Sequence, residues 1–252
     1  MTTDYRIVIP ARAASQRLPG KPLLDVCGQP LLQRVWACAT RSGASQVVIA
    51  TDDEQIFSVA TAFGAQVLIT GDHHKSGSDR IAECIDRLEW SDETVVVNLQ
   101  GDEPQMPPEC LDQVAGLLGD APEAQAASLY QPIDDPAEIR DHNAVKVVTD
   151  VQGRALYFSR SVVPANRQWN SIEDALANGC VWNRHIGLYA YRAGALKQFT
   201  QQEPTPLEQE ERLEQLRILE TGGVILLAQA VQRVPGGVDT AQDLERVRQT
   251  FQ

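Results

Sequence analysis

Residues 7–23 read IVIPARAASQRLPGKPL, an apolar β-branched strand running directly into a loop that carries Arg12, Arg17 and Lys21 beside Gly20. Glycine lets a backbone approach an anion closely, and fixed cations with free N–H groups at a strand end offset its charge. The loop therefore suits a polyphosphate. It is not a Walker A loop, because Ser15 and Pro22 stand where that motif needs Gly and Ser or Thr. The GxGxxG fingerprint of dinucleotide hydride-transfer folds is also missing. A second apolar strand, Val95 to Leu99, ends in Gln100-Gly101-Asp102-Glu103-Pro104, which puts the Asp102 carboxylate where a divalent metal could bridge to those phosphates. Together the two segments read as a site for nucleotidyl transfer.

Outward from this stretch, β-branched runs alternate with amphipathic segments, the pattern of βαβ units around a mostly parallel sheet. Pro30 to Ser42 predicts a helix with Leu31, Leu32, Val35, Trp36 and Ala39 on one face, stopped by Gly43. Val47 to Ala50 predicts a strand, Asp52-Asp53 a cap for a helix reaching Phe63, and Gln66 to Ile69 a third strand. A polar loop, Thr70 to Arg80, then leads into a helix reaching Leu88. From Ala126 onward, strands 126–131, 145–149 and 156–159 follow with little helix between them, which predicts antiparallel additions. Residues 165–182 are polar and irregular, as in a surface excursion, and HIGLYAY (185–191) alternates as a strand. Pro206 opens a helix predicted over 207–221, a strand follows at 224–230, and a closing helix spans 240–250. Asp239, just ahead of that helix at its positive end, is kept anionic and available to a metal.

The chain has 252 residues, 43% of them hydrophobic and 22% charged, enough for one α/β domain covering 1–252. Its net charge of −12 argues against binding nucleic acid or an anionic membrane surface, so a small local basic loop has to do the anion binding. Five scattered cysteines lack CxxC or Cys/His ligand spacing and read as reduced thiols. No apolar run reaches the ~18 residues needed to span a bilayer, and Met1-Thr2-Thr3-Asp4 does not open a secretory signal. A cytoplasmic protein is the expectation.

Several residues allow two readings. His73-His74 resembles a metal pair but has no third nitrogen or sulfur ligand nearby. His185, opening an apolar strand, suits a satisfied structural group as well as a ligand. Tyr157, Phe158 and Tyr189 fall at packing positions, whereas Arg160 directly after that aromatic pair suits an anion. Glu208, Glu210, Glu211 and Glu214 with Arg212 and Arg217 read mostly as a solvated helix face.

The segments PARAASQRLPGKPL, VVIATDD, HHKSGSDR, VVNLQGDEP, NAVKVV, ALYFSR, RHIGLYAYR, PLEQEERLEQLRILE and GVDTAQDLERVR occur in the same order in 3-deoxy-manno-octulosonate (Kdo) cytidylyltransferases. The chain resembles that family from residue 6 almost to its end. It departs from the family pattern at Gln16 and Ser78, where Thr is usual, and over 165–182.

The resemblance implies a Rossmann-like, three-layer nucleotidyltransferase fold, with 126–195 a smaller sugar-binding and dimerisation subregion. It implies that CTP and Kdo give CMP-Kdo and pyrophosphate for lipopolysaccharide assembly. The implied catalytic set is Arg12, Lys21, Asp102 and Asp239: Arg12 and Lys21, with Arg17 as a lesser contact, hold the triphosphate, and Asp102 and Asp239 hold Mg²⁺. A second Mg²⁺ would arrive on the β- and γ-phosphates. Ser76, Gly77 and Arg80 with Gln100 would bind the nucleotide. Gln100, Arg160, His185, Tyr189, Glu214 and Gln215 would take the sugar acid, Arg160 gripping its carboxylate with help from a charged or donating His185. A homodimer is implied as well. Two alternatives stay open: a sister enzyme for sialic acid or 8-amino-Kdo, and a noncatalytic nucleotide-binding homologue.

Overall fold

The computed structural model describes residues 3–12, 18–74 and 76–252. Among the described residues eleven strands are formed: β1 (Tyr5–Ala11), β2 (Asp25–Val26), β3 (Gln29–Pro30), β4 (Gln46–Thr51), β5 (Gln66–Ile69), β6 (Val95–Asn98), β7 (Ala126–Ile133), β8 (Lys146–Thr149), β9 (Ala155–Ser159), β10 (Trp182–Arg192) and β11 (Ile225–Gln229). The helices are α1 (Leu31–Ala39), α2 (Glu54–Ala62), α3 (Gly77–Arg87), α4 (Pro108–Gly119), α5 (Pro136–Arg140), α6 (Ile172–Ala177), α7 (Ala193–Thr200), α8 (Pro206–Glu211), α9 (Leu216–Glu220) and α10 (Ala241–Phe251).

A nine-stranded sheet in the order β11-β7-β10-β6-β1-β4-β5, with β8 paired to β10 and β9 to β8, forms the middle of three layers. Parallel pairing joins β6, β1, β4 and β5, and also β11 to β7, whereas β10 runs antiparallel to β6, β7 and β8. Helices cover both faces, so a central strand needs apolar residues on both sides. In β1, Ile7 and Ile9 enter one core with α1, α2 and α4, while Val8 enters the other with Ile81 and Ile85 of α3 and Leu196 of α7. Every ligand-facing loop named above therefore leaves the sheet at a strand's carboxyl end.

Four local expectations change. The loop predicted over 70–80 becomes helical at Gly77, because Ser76 and Asp79 close a capping box that starts α3 early. Helix α4 was not read from the sequence. The segment 165–182 is more than a surface excursion: Trp182 is buried with Ile133, Ile139 and Ala175, and Trp169, Ile172 and Leu176 pack around them as a small separate core. The helix predicted over 207–221 breaks at Arg212, which adopts a left-handed conformation (φ 53°, ψ 49°).

That break also overturns the solvated-face reading for Glu208, Glu211 and Glu214, while Glu210 stays exposed. Glu208 is buried in a two-bond ion pair with Arg217, Glu211 accepts bonds from Ser159, Tyr157 and the Arg160 amide, and Glu214 accepts one from Ser78. A straight helix could not aim these carboxylates at three different elements.

Candidate active site

Lys21 follows Gly20 in a short 3₁₀ turn. Its Nζ donates to Asp102 Oδ2 at 2.6 Å and to Asp239 Oδ1 at 3.2 Å. Burial works against the ammonium, but the two carboxylates outweigh it and hold the Lys21 pKa above the ordinary lysine value. Asp102 arrives from the turn after β6 and Asp239 from the loop before α10. Backbone contact joins the two turns, since the Val238 amide donates to the Asp102 carbonyl at 2.9 Å.

Two glycines make this approach possible. A Cβ on Gly101 would lie 2.9 Å from the Pro10 carbonyl oxygen, and one on Gly237 would lie 2.9 Å from Glu103 Oε1 and 3.0 Å from the Asp102 carbonyl. Gly237→Ala is therefore expected to push the Asp239 loop off Asp102 and to cut turnover about tenfold or more. Steady-state kinetics with a thermal melt check it; unchanged turnover would show that the close approach is dispensable.

Two carboxylates that already converge on one cation fit a shared divalent ion, and oxygen-only donors suit a hard metal. Among the described residues no cluster of three His, Cys, Asp or Glu side chains surrounds a metal-sized space. His74, the member of the histidine pair nearer Ser76, instead pairs with Glu83 at 2.5 Å.

Arg12, Ser76, Gly77, Arg80 and Gln100, predicted for the nucleotide from three separate loops, line one cavity of about 100 Å³, and His74 joins them there. The Arg80 guanidinium is already committed, bonding Asp52 Oδ2 at 2.8 Å and also Thr70 Oγ1. What it offers a ligand is its remaining edge. Arg17 lies outside the described residues.

On the sugar side, Arg160 donates from Nε to the Glu211 carbonyl (2.7 Å) and from Nη1 to the His142 carbonyl (3.0 Å), while Nη2 stands 3.4 Å from the Arg212 carbonyl. Carbonyls orient this guanidinium, and the Glu211 carboxylate, which accepts from the Arg160 amide, also interacts with its charge. Lys146, fully buried, ties the same wall together by donating to the carbonyls of Asp141, Ala144 and Arg160. Gln100 Nε2 bonds Asn98 Oδ1, and the Glu214 carboxyl is raised in pKa chiefly by burial. Gln215 is buried beside it, and the Tyr189 hydroxyl is buried with no hydrogen-bond partner among the described residues.

His185 packs edge-on against Phe158 and beside Tyr189, and burial lowers its pKa to about 3. Its Nε2 lies 3.0 Å from Ser128 Oγ, which also meets the Ile186 and Leu188 carbonyls at 3.0 and 2.8 Å where β10 bulges. Nε2 and the two carbonyls all lie within reach of the single Ser128 proton, and the donor between Nε2 and Oγ follows the tautomer of the ring. The lowered pKa corrects the expectation of a charged His185 and leaves a neutral, donating imidazole in place.

His185 and Asp239 line a second cavity, of about 620 Å³, together with two residues that sequence reasoning passed over, Glu103 and Arg184. Burial, reinforced by Asp102, pushes the Glu103 carboxyl up to about 8. The signal available in the sequence was only a second carboxylate directly after Asp102. Gln100 lines the first cavity and Glu103 and Asp239 the second, with Asp102 between Gln100 and Glu103 in the same turn.

A mostly parallel sheet covered by helices on both faces, with a lysine and two aspartates brought together from distant loops, suits a nucleotidyltransferase. A model of the cytidylyltransferase family matches residues 6–229, and the chain belongs to that family. Within it, the chain is 49% identical over the full length of both proteins to 3-deoxy-manno-octulosonate cytidylyltransferase of Pseudomonas syringae pv. syringae (strain B728a). It is also 49% identical to the protein of that name from Halorhodospira halophila, covering all of this chain and 98% of that one. The solved structure of CMP:2-keto-3-deoxy-manno-octonic acid synthetase complexed with CTP superposes with a TM-score of 0.90 at 38% identity, over 99% of this chain and 98% of that one. A 4-diphosphocytidyl-2C-methyl-D-erythritol synthase, 17% identical with a TM-score of 0.63, shares the fold.

Proposed function

We propose that the protein transfers CMP from CTP to the 2-hydroxyl of Kdo, giving CMP-Kdo and pyrophosphate. The supporting observation is the Lys21–Asp102–Asp239 cluster, with Asp239 on the wall of the larger of the two cavities. Asp102 and Asp239 hold Mg²⁺ in this reading, and the ion supplies charge withdrawal from the α-phosphate and a lowered pKa for the attacking hydroxyl. Lys21, released from the two carboxylates, and Arg12 neutralise the triphosphate. The sugar oxygen forms its bond to the α-phosphorus as the bond to the β-phosphate oxygen breaks in line; the electron pair leaves on pyrophosphate and the hydroxyl proton passes to water. Such chemistry asks for positioning and charge neutralisation rather than a covalent protein intermediate.

Arg160 takes the sugar carboxylate through the donors its carbonyl partners leave free. Arg160→Ala is expected to raise the Kdo KM by about tenfold or more while leaving CTP binding nearly unchanged, because a charge-assisted bond is lost at one substrate only. Calorimetry with each substrate checks it, and loss of CTP binding instead would reject the assignment. Pyrophosphate release with CTP plus Kdo tests the whole proposal; no release from folded protein with saturating Mg²⁺ would overturn it.

We also read the protein as a cytoplasmic homodimer joined through 126–195, with its product entering lipopolysaccharide assembly. Family resemblance supports this, and among the described residues no helix is long and apolar enough to cross a membrane. Light scattering that gives the mass of one chain would reject the dimer.

A further inference from the structure

Among the residues lining the 100 Å³ cavity, His74 is one to which the resemblance gives no role. Its imidazole is held in place. The side chain is 11% exposed, and Nε2 lies 2.5 Å from Glu83 Oε2 on α3. The same oxygen accepts from the Gly71 amide at 2.9 Å, and Glu83 Oε1 accepts from Arg87 Nη1 at 3.1 Å. Burial works against the Glu83 charge, but these three bonds outweigh it and hold the carboxyl below the ordinary glutamate value. One carboxylate thus fixes both the backbone of the 70–74 segment and the ring that the segment carries. The Arg80 guanidinium, one turn earlier on α3, holds the start of that segment through Thr70 Oγ1.

The cavity itself is narrow. Pro10 and Ala11 at the end of β1 line it together with Ser76 and Gly77 at the start of α3, and a Cβ on Gly77 would lie 3.3 Å from Pro10 Cγ. Its volume falls well below the roughly 300 Å³ at which pockets enclosing a whole drug-sized ligand begin, so it takes one part of CTP. Lys21, Asp102 and Asp239, the groups proposed for the triphosphate and its metal, do not line it. A slot between two backbone segments, apart from those charges, suits the flat ring of the base.

We infer that His74 contacts the cytosine ring of CTP and that Glu83 is a positioning residue which sets the orientation of the imidazole. This role rests on the function proposed above and deepens its nucleotide side. A ring already fixed by a charge-assisted bond has little freedom left to lose when the base arrives, so the energy of the contact goes into binding.

The test is calorimetric titration of the parent protein, His74→Ala, Glu83→Gln and the double variant, each with CTP and with inorganic tripolyphosphate in Mg²⁺. His74→Ala is expected to weaken CTP binding about tenfold while changing tripolyphosphate binding less than about twofold, because the lost contact is to the base alone. Glu83→Gln should weaken CTP binding about threefold, also without an effect on tripolyphosphate. If Glu83 acts through the ring, the double variant binds CTP no more weakly than His74→Ala, a non-additivity that two independent structural losses would not give. Thermal melts establish that each variant is folded.

If His74→Ala does not fold, Glu83→Gln carries the test and must weaken CTP binding but not tripolyphosphate binding. Unchanged CTP affinity in either variant, CTP and tripolyphosphate affinities falling together, or losses that add in the double variant would each overturn the assignment. The titrations need no sugar, so a parent protein that binds CTP but releases no pyrophosphate with Kdo would refute the proposed function instead, and the two failures are distinguishable.

Discussion

Asp102→Asn is expected to lower turnover by about a hundredfold or more while leaving the protein folded, the effect of removing a metal anchor. Asparagine keeps the size and planarity of the side chain and removes its charge, so packing around the turn is preserved. The backbone bond from Val238 to the residue-102 carbonyl survives the change, and that bond holds the two turns together. What is lost is one of the two charges that gather around Lys21, and with it the closer partner of that lysine, at 2.6 Å. Asp239→Asn should behave alike, with a smaller structural disturbance because its carboxylate is the more exposed of the pair. The measurement is CTP consumption at saturating Mg²⁺, with a thermal melt and Mn²⁺ titration alongside. Turnover at the parent rate by either folded variant would remove the acids from the chemistry.

The central sheet was legible because its strands are apolar runs rich in β-branched residues: 7–9, 47–50 and 95–97 supply both faces of the sheet, and 67–69 an edge strand. The phosphate-side loops were legible for the same reason, since each directly follows one of these runs. Helix α4 had a readable signal that went unused, Pro108 in its first turn and Leu111, Val114, Ala115 and Leu118 at helical spacing. The broken helix was different. Its periodicity is continuous through Arg212, and what bends it are partners distant in sequence: Ser159 and the Arg160 amide for Glu211, and Ser78 for Glu214. The contact of His185 with Ser128 was hidden likewise, because the two lie fifty-seven residues apart across the β7–β10 ladder. Residue type and spacing state which groups are present; which lone pair or proton faces a cavity is decided by tertiary contacts.

Arg217→Met should be the most destabilising single change considered, costing about 3–5 kcal/mol, because it leaves the Glu208 carboxylate buried without its partner. The pair is nearly enclosed, with side-chain exposures of 9% and 11%, and Arg217 grips both oxygens, from Nε at 2.7 Å and Nη2 at 2.5 Å. The same guanidinium donates to the carbonyls of Phe199 and Gln202, so its loss also frees the end of α7 from α9. Urea unfolding should show a lower midpoint with an unchanged slope. The double variant Glu208→Leu with Arg217→Met separates the cause, since removing both charges together costs far less than stranding one of them. Recovery of most of the lost stability in that variant is the expected result, and a double variant as unstable as Arg217→Met alone would place the cost in packing instead. Glu214 and Gln215 lie between the helix break and Arg217, so both single and double variants should also be assayed for Kdo KM. A rise confined to Arg217→Met would mean that the buried ion pair, and not the apolar volume it fills, sets the sugar-side wall.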